Sequence, residues 1–169
     1  MNLPNKLTVC RIVLIPVCLM LWAMDVRYGA AAVFALAALT DLLDGYIARK
    51  QHLVTTFGKF ADPVADKLLV LSAMVFLCAD GILPAWAVAL VAARELAVDG
   101  LRMIAAEKGK VIAAGMLGKV KTNIQLFCVL SGMLFGTHWL TKTLTVLTAV
   151  MTVLSGAEYF RASRDIFKE

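Results

Sequence analysis

The chain has 169 residues, of which 61% are hydrophobic and 17% are charged, and its formal net charge is +5 at pH 7. Ordinary globular proteins carry about 25% charged residues. The apolar segments recur along the whole chain and one soluble core cannot bury them, so the composition excludes a soluble globular domain and predicts a single membrane domain over residues 1–169. No basic stripe with interleaved aromatic residues is present, which excludes a nucleic-acid partner.

Four short apolar runs occupy the first part of the chain. They lie at residues 12–24, 30–39, 68–79 and 82–93. A membrane-spanning helix needs about 20 residues, and each run reaches that length only by continuing into a polar segment. A fifth segment at 118–139 begins polar and becomes apolar, and a sixth at 143–160 is more evenly apolar. The pattern predicts an all-α membrane protein with six transmembrane helices.

The distribution of basic residues predicts how these helices are oriented. If the six helices alternate in direction, the turns at 25–29, 79–81 and 137–142 share one side of the membrane, and every polar segment lies on the other. Of the 17 lysine and arginine residues, only Arg27 and Lys142 lie in those turns. The positive-inside rule therefore places both termini at the cytoplasmic face of the cell membrane. Five half-polar helices then predict a polar cavity open to the cytoplasm.

The segment at 41–67, DLLDGYIARKQHLVTTFGKFADPVADK, concentrates four aspartates in this apolar chain. Asp41 and Asp44 fall on the second predicted helix, and Asp62 and Asp66 fall on the third. At about 100° per residue the members of each pair share a helix face, so an antiparallel pair of helices could bring the four carboxylates together. Four isolated aspartates at membrane depth would cost about 10 kcal/mol.

Bound cations would offset that cost. Two Mg²⁺ or Mn²⁺ ions suit a set of hard oxygen ligands, and such a pair can stabilise an in-line phosphoryl displacement. Two alternatives remain open from the residues alone. The aspartates could instead be solvated helix-end residues paired with neighbouring basic side chains such as Lys67, or they could line a proton or cation pathway. Gly58 is expected in the turn between the helices and Pro63 in the first turn of the third.

The same segment resembles the signature of the CDP-alcohol phosphotransferase family. Its matching positions are Asp41, Asp44, Gly45, Ala48, Arg49, Gly58, Asp62 and Asp66. The resemblance implies the family's six-helix membrane fold. It also implies that the four aspartates hold two divalent cations, and that Asp66 is in addition the general base. The residues that it places on CDP-diacylglycerol are Gly45, Ala48, Arg49, Thr55 and Gly58.

Segments outside the signature resemble one subgroup of this family. NLPNKLTVCRIVLIPV near the N-terminus, AREL at 93–96 and GKVKTNIQ at 118–125 resemble bacterial members that transfer a phosphatidyl group to sn-glycerol 3-phosphate with release of CMP. The family is commonly dimeric, which implies a homodimer. The alternative within the family is another acceptor: phosphatidylglycerol, inositol phosphate or serine.

A phosphorylated acceptor is a dianion and requires a basic pocket. Arg94 and Arg102 fall within about 140° of arc on the fourth predicted helix, together with Glu95 and Asp99. The fifth helix begins with Lys119 and Lys121, where the helix dipole also favours an anion. We predict that Arg102 and Lys119 are the first candidates to bind the acceptor phosphate and that Arg94 and Lys121 are the next candidates. Three further residues are candidates for the cavity rim or for interfacial caps: Asn5, Thr8 and Arg11.

Overall fold

The structure is a computed structural model that describes residues 3–51, 56–109 and 115–164, and within them the side chains of all but residues 3–6, 41–51 and 56–61. The described part of the chain contains six helices and no strand. The helices are α1 (Leu3–Ala23), α2 (Arg27–Gln51), α3 (Thr56–Ala79), α4 (Ala85–Glu107), α5 (Met116–Phe135) and α6 (Trp139–Ala162). The prediction of six helices is therefore confirmed.

Glycines with left-handed backbone follow three of the helices, α3, α4 and α5. Gly81 has a φ of 71° just beyond α3, and Gly136 has a φ of 60° just beyond α5. The backbone N–H of Gly136 donates to the carbonyl of Gly132 at 3.0 Å, and that of Ile82 donates to Leu77 at 2.8 Å. Glycine adopts this conformation without the steric penalty of a Cβ, so it ends the helix and satisfies carbonyls of the last turn.

Two sequence-based boundaries were wrong. Helix α3 already begins at Thr56, so Gly58 lies in the helix and not in a turn, and Pro63 lies inside the helix and not in its first turn. An interior proline removes one backbone donor and crowds the carbonyl one turn earlier, and α3 nevertheless continues on both sides of Pro63. Helix α6 begins at Trp139, inside the turn expected at 137–142, because His138 caps it by accepting from the N–H of Leu140 at 3.4 Å.

The apolar core lies among α1, α2, α3 and α5, and α4 contributes Val88 and Val91 to it. Phe34, Leu77 and Val129 are fully buried there, and Met74 is almost so. Helix α1 packs against α2 and α3, whereas α4 and α5 both pack against α6. This core holds the helices in register, and the charged residues described below lie outside it.

Large apolar side chains are also exposed on every helix. Examples are Val13, Leu36, Val75, Leu96, Phe127 and Val146, each more than half exposed. Exposed apolar surface of this extent is typical of a protein that contacts lipid. Among the described residues, α6 alone is long and apolar enough to cross a membrane by composition, with a mean hydropathy of 1.4. Two shorter apolar stretches, Leu7–Ala23 and Arg27–Thr40, lie in α1 and α2.

Candidate active site

Asp62 on α3 is held by a residue of the first helix. The Thr8 hydroxyl donates to Oδ1 of Asp62 at 2.5 Å. Thr8 is fully buried, as is Arg11 one turn further along α1. The two rim candidates whose side chains are described therefore lie inside the bundle, and Thr8 contacts one of the predicted metal ligands directly.

The side chains of several predicted site residues lie outside the described part of the structure. Asp41 and Asp44 lie on α2, as predicted. For seven of the predicted site residues the structure describes the helical backbone but not the surroundings of the residue: Asn5, Asp41, Asp44, Gly45, Ala48, Arg49 and Gly58. Thr55 lies outside the described residues altogether. No group of three or more potential metal ligands occurs among the described side chains. The four-aspartate cluster therefore stays a prediction.

The described members of that set nevertheless fit a divalent cation. Asp62 and Asp66 are one helical turn apart on α3, and both are only partly exposed. A hydroxyl donor already orients the Asp62 carboxylate, as the supporting hydrogen bonds of metal-binding carboxylates do. Hard oxygen ligands on one helix face match the coordination that Mg²⁺ and Mn²⁺ prefer.

A polar cavity of about 180 Å³ adjoins Asp66. Its lining residues belong to α3, α4, α5 and α6. A single water molecule needs roughly 10–15 Å³ of such space, so the cavity can hold a small ligand. The charged side chains that line it are Asp66, Lys67, Arg94, Glu95, Asp99, Arg102 and Lys119.

Tyr159 of α6 organises two of the predicted phosphate ligands. The guanidinium carbons of Arg94 and Arg102 lie 5.4 and 5.2 Å from the centre of its ring, within the range of a cation–π contact. Arg102 also donates from Nη2 to the Tyr159 hydroxyl. Nε and Nη2 of Arg94 and Nε of Arg102 are buried and have no hydrogen-bond partner within the described part of the chain. Buried guanidinium donors without partners indicate a site for an anion.

The first turn of α5 completes this part of the cavity. A Cβ on Gly118 would lie 3.8 Å from Nη2 of Arg94 and 3.8 Å from Cε2 of Tyr159. The absence of a side chain at Gly118 therefore leaves space beside the guanidinium group. Lys119 lines the same cavity, and the N-terminal dipole of α5 adds to the positive potential there.

Glu95 is the centre of a buried ion-pair network. Its carboxylate accepts a hydrogen bond from Lys121, which is only 3% exposed. The same carboxylate lies 3.4 Å from Nη1 of Arg94. Nζ of Lys67 lies 4.0 Å from its other oxygen. Lys121 lines a smaller cavity of about 30 Å³ that also includes Asp66. Of the four predicted phosphate ligands, three thus line the larger cavity, whereas Lys121 points its ammonium group at Glu95.

Two residues of the site were not predicted as ligands. Lys67 donates to Oδ1 of Asp99, so this lysine has a partner on α4. Tyr159 lies on the helix whose sequence carries no motif. The signal that could have identified it is a phenol one turn from the end of an otherwise apolar helix, since a buried tyrosine usually needs a polar partner.

Comparison with known proteins supplies a second line of evidence. The sequence matches the CDP-alcohol phosphatidyltransferase family over residues 1–154. It is 40% identical to the CDP-diacylglycerol–glycerol-3-phosphate 3-phosphatidyltransferase of Bacillus subtilis (strain 168), over 99% of this chain and 97% of that protein. It is 37% identical to the protein of the same name in Escherichia coli (strain K12), over 96% and 95% of the two chains. It is 39% identical to a probable phosphatidylglycerophosphate synthase of Mycobacterium tuberculosis (strain ATCC 25618 / H37Rv), over 98% and 83%.

Proposed function

Because the chain belongs to the CDP-alcohol phosphatidyltransferase family, we propose that it transfers a phosphatidyl group from CDP-diacylglycerol to sn-glycerol 3-phosphate. The products are phosphatidylglycerophosphate and CMP. The observation that carries the choice of acceptor is the cavity beside Asp66, where buried guanidinium donors of Arg94 and Arg102 have no hydrogen-bond partner among the described residues. A small phosphorylated alcohol supplies the phosphate oxygens that these donors require.

The reaction needs an acceptor hydroxyl positioned at the lipid-side phosphorus. With its phosphate bound by Arg94, Arg102 and Lys119, the acceptor extends towards Asp66, which lines the same cavity. The C1 hydroxyl oxygen forms the new P–O bond, and the bond from that phosphorus to the CMP oxygen breaks. Asp66 takes the hydroxyl proton as general base. Positioning of the two substrates supplies much of the rate enhancement.

The donor side of the site rests on the signature residues. Asp41, Asp44, Asp62 and Asp66 would hold two Mg²⁺ or Mn²⁺ ions, which neutralise charge on the diphosphate when bound. The residues proposed to bind CDP-diacylglycerol are Gly45, Ala48, Arg49, Thr55 and Gly58. Thr8 contributes by orienting the Asp62 carboxylate.

We further propose that the six helices span the cell membrane, with both termini and the cavity on the cytoplasmic side. The apolar side chains exposed on all six helices support a lipid environment. Asp66 and the basic residues lie together at one end of the bundle, where a lipid-anchored diphosphate and a water-soluble acceptor can meet. The excess of lysine and arginine in the polar segments supports the orientation.

The size and charge of the cavity support a small phosphorylated acceptor. About 180 Å³ lined by four basic side chains suits a small phosphorylated alcohol, whereas phosphatidylglycerol brings two acyl chains and no terminal phosphate dianion. Serine lacks the phosphate that Arg94 and Arg102 would bind. The geometry therefore favours glycerol 3-phosphate over a cardiolipin or phosphatidylserine synthesis.

The decisive experiment offers the purified protein CDP-diacylglycerol and Mg²⁺ or Mn²⁺ with one acceptor at a time, and identifies each lipid product by mass spectrometry. We expect phosphatidylglycerophosphate and stoichiometric CMP with sn-glycerol 3-phosphate, and loss of both in Asp66→Asn. Product from phosphatidylglycerol but none from glycerol 3-phosphate would contradict the assignment. Undiminished activity in Asp66→Asn would remove that residue from the role of base.

A further inference from the structure

One charged pair in the cavity has no role in binding phosphate or in holding metal. It consists of Lys67 on α3 and Asp99 on α4, which are joined by a hydrogen bond to Oδ1 of Asp99. The Asp99 side chain is 37% exposed and that of Lys67 is 21% exposed, and both line the cavity. Asp99 thus differs from Glu95, which is buried and engaged by Lys121 and Arg94.

Asp99 lines the same cavity as Asp66 and the two arginines. The basic end is formed by Arg94, Arg102 and the start of α5, and the reacting end by Asp66. Asp99 lies on α4 between Arg94 and Arg102, and its bond to Lys67 directs it towards α3, next to Asp66 in sequence. A ligand that contacts both the arginines and Asp66 occupies the cavity that the Lys67–Asp99 pair also lines.

The chemistry of Asp99 excludes it as a phosphate ligand, because a carboxylate repels a phosphate dianion. A carboxylate accepts hydrogen bonds at up to about four lone-pair positions, and Lys67 occupies one of them through Oδ1. The remaining capacity suits a neutral hydroxyl donor. In sn-glycerol 3-phosphate the group between the phosphate and the reacting C1 hydroxyl is the C2 hydroxyl.

We infer that Asp99, oriented by Lys67, accepts a hydrogen bond from the C2 hydroxyl of the acceptor and so determines its specificity. This inference rests on the proposed function and adds a third contact point to it. The arginines bind the phosphate, Asp66 accepts the proton of the C1 hydroxyl, and Asp99 accepts a hydrogen bond from the C2 hydroxyl. A site that hydrogen-bonds a substrate hydroxyl rejects the analogue that lacks it, because its own polar groups are then left without partners.

The test compares two acceptors in two proteins. sn-Glycerol 3-phosphate is measured against 3-hydroxypropyl phosphate, which has the same phosphate and reacting hydroxyl but no C2 hydroxyl. The unaltered protein is expected to prefer glycerol 3-phosphate by roughly 10- to 100-fold in kcat/KM. Asp99→Ala is expected to lose about that factor on glycerol 3-phosphate and to change little on the analogue, so that the preference disappears.

A purely structural role for Asp99 would lower kcat/KM for both acceptors by the same factor, and that result would overturn the inference. Turnover of the analogue by Asp99→Ala also reports that the variant is folded. Asp99→Asn keeps the size of the side chain and one carbonyl acceptor, and an equal loss on both acceptors in this variant would likewise contradict the inference. Glu107→Gln is the matched control, because Glu107 is an exposed acidic residue at the end of the same helix.

The outcomes separate this inference from the proposed function. If the protein turns over both acceptors with equal kcat/KM, the phosphatidyl transfer stands and the role of Asp99 fails. If glycerol 3-phosphate yields no phosphatidylglycerophosphate under any metal condition, the proposed function itself fails.

Discussion

The Thr8 hydroxyl on α1 donates a 2.5 Å hydrogen bond to the Asp62 carboxylate on α3, across 54 positions of sequence. Thr8 is fully buried, so this contact is built into the helix bundle. It fixes one oxygen of a predicted metal ligand and leaves the other oxygen for coordination. The first helix therefore supports the signature segment although it carries no signature residue.

Thr8→Val removes this hydroxyl and preserves the shape of the side chain. We expect the Mn²⁺ concentration for half-maximal activity to rise by about 10-fold, because loss of a hydrogen bond to a metal ligand typically weakens metal affinity by 10- to 100-fold. The measurement is CMP release as a function of Mn²⁺ concentration. Thr8→Ser retains the donor and should keep the original curve. An unchanged metal dependence in Thr8→Val would refute the supporting role.

Tyr159 contacts both arginines that are proposed to bind the acceptor phosphate. Its ring lies against Arg94 and Arg102, and its hydroxyl accepts a hydrogen bond from Arg102. Tyr159→Phe removes only the hydroxyl that accepts from Arg102, and we expect the KM for glycerol 3-phosphate to rise by about 3- to 10-fold. Tyr159→Leu also removes the cation–π contacts and should raise this KM further. Steady-state kinetics with each substrate varied in turn provides the check. An increase confined to the KM for CDP-diacylglycerol would place Tyr159 at the other substrate.

Gly118 leaves open the space beside Arg94. A Cβ at this position would make ordinary contacts of 3.8 Å, so Gly118→Ala is expected to fold and to retain most of its activity. Gly118→Leu should fill the acceptor end of the cavity and lower kcat/KM for glycerol 3-phosphate by at least about 10-fold. Activity assays combined with thermal unfolding in detergent distinguish a blocked site from a misfolded protein. Full activity in Gly118→Leu would show that the acceptor binds elsewhere.

The Glu95–Lys121 pair is almost completely buried, with side-chain exposures of 9% and 4%. Glu95→Gln removes the hydrogen-bonded counter-charge of the Lys121 ammonium and should lower the free energy of unfolding by about 3–5 kcal/mol, as breaking a buried ion pair usually does. Lys121→Met leaves the Glu95 charge with less compensation and should also destabilise the protein.

The double variant Glu95→Gln, Lys121→Met tests whether the two charges act as a pair. It is expected to lose less stability than the sum of the single changes, because it leaves neither charge buried alone. Thermal unfolding of the four proteins under one detergent condition provides the measurement. Strictly additive losses would show that the two side chains contribute independently.

The sequence by itself determined the helical class, the half-polar character of the helices and the family. These properties depend on local composition and on fixed spacings, such as the aspartates of the segment at 41–67, which a single chain displays directly. It also grouped Arg94, Arg102 and Lys119 as candidate ligands of one anion, because their positions on predicted helices and the negative charge of the expected acceptor are enough to suggest that group. It misplaced Gly58 and Pro63, since propensity describes turns poorly when tertiary packing extends a helix.

Only the tertiary structure decided which charges meet. Tyr159 joins Arg102 across 57 positions and Lys67 joins Asp99 across 32, and no local pattern specifies such pairs. Lys121 illustrates the physical reason: its position in the sequence suggests a phosphate ligand, but burial beside Glu95 makes a direct ion pair the arrangement that avoids an isolated charge. Helix packing determines which polar groups pair with each other and which stay available to a ligand. The candidate acceptor pocket consists of groups of the second kind.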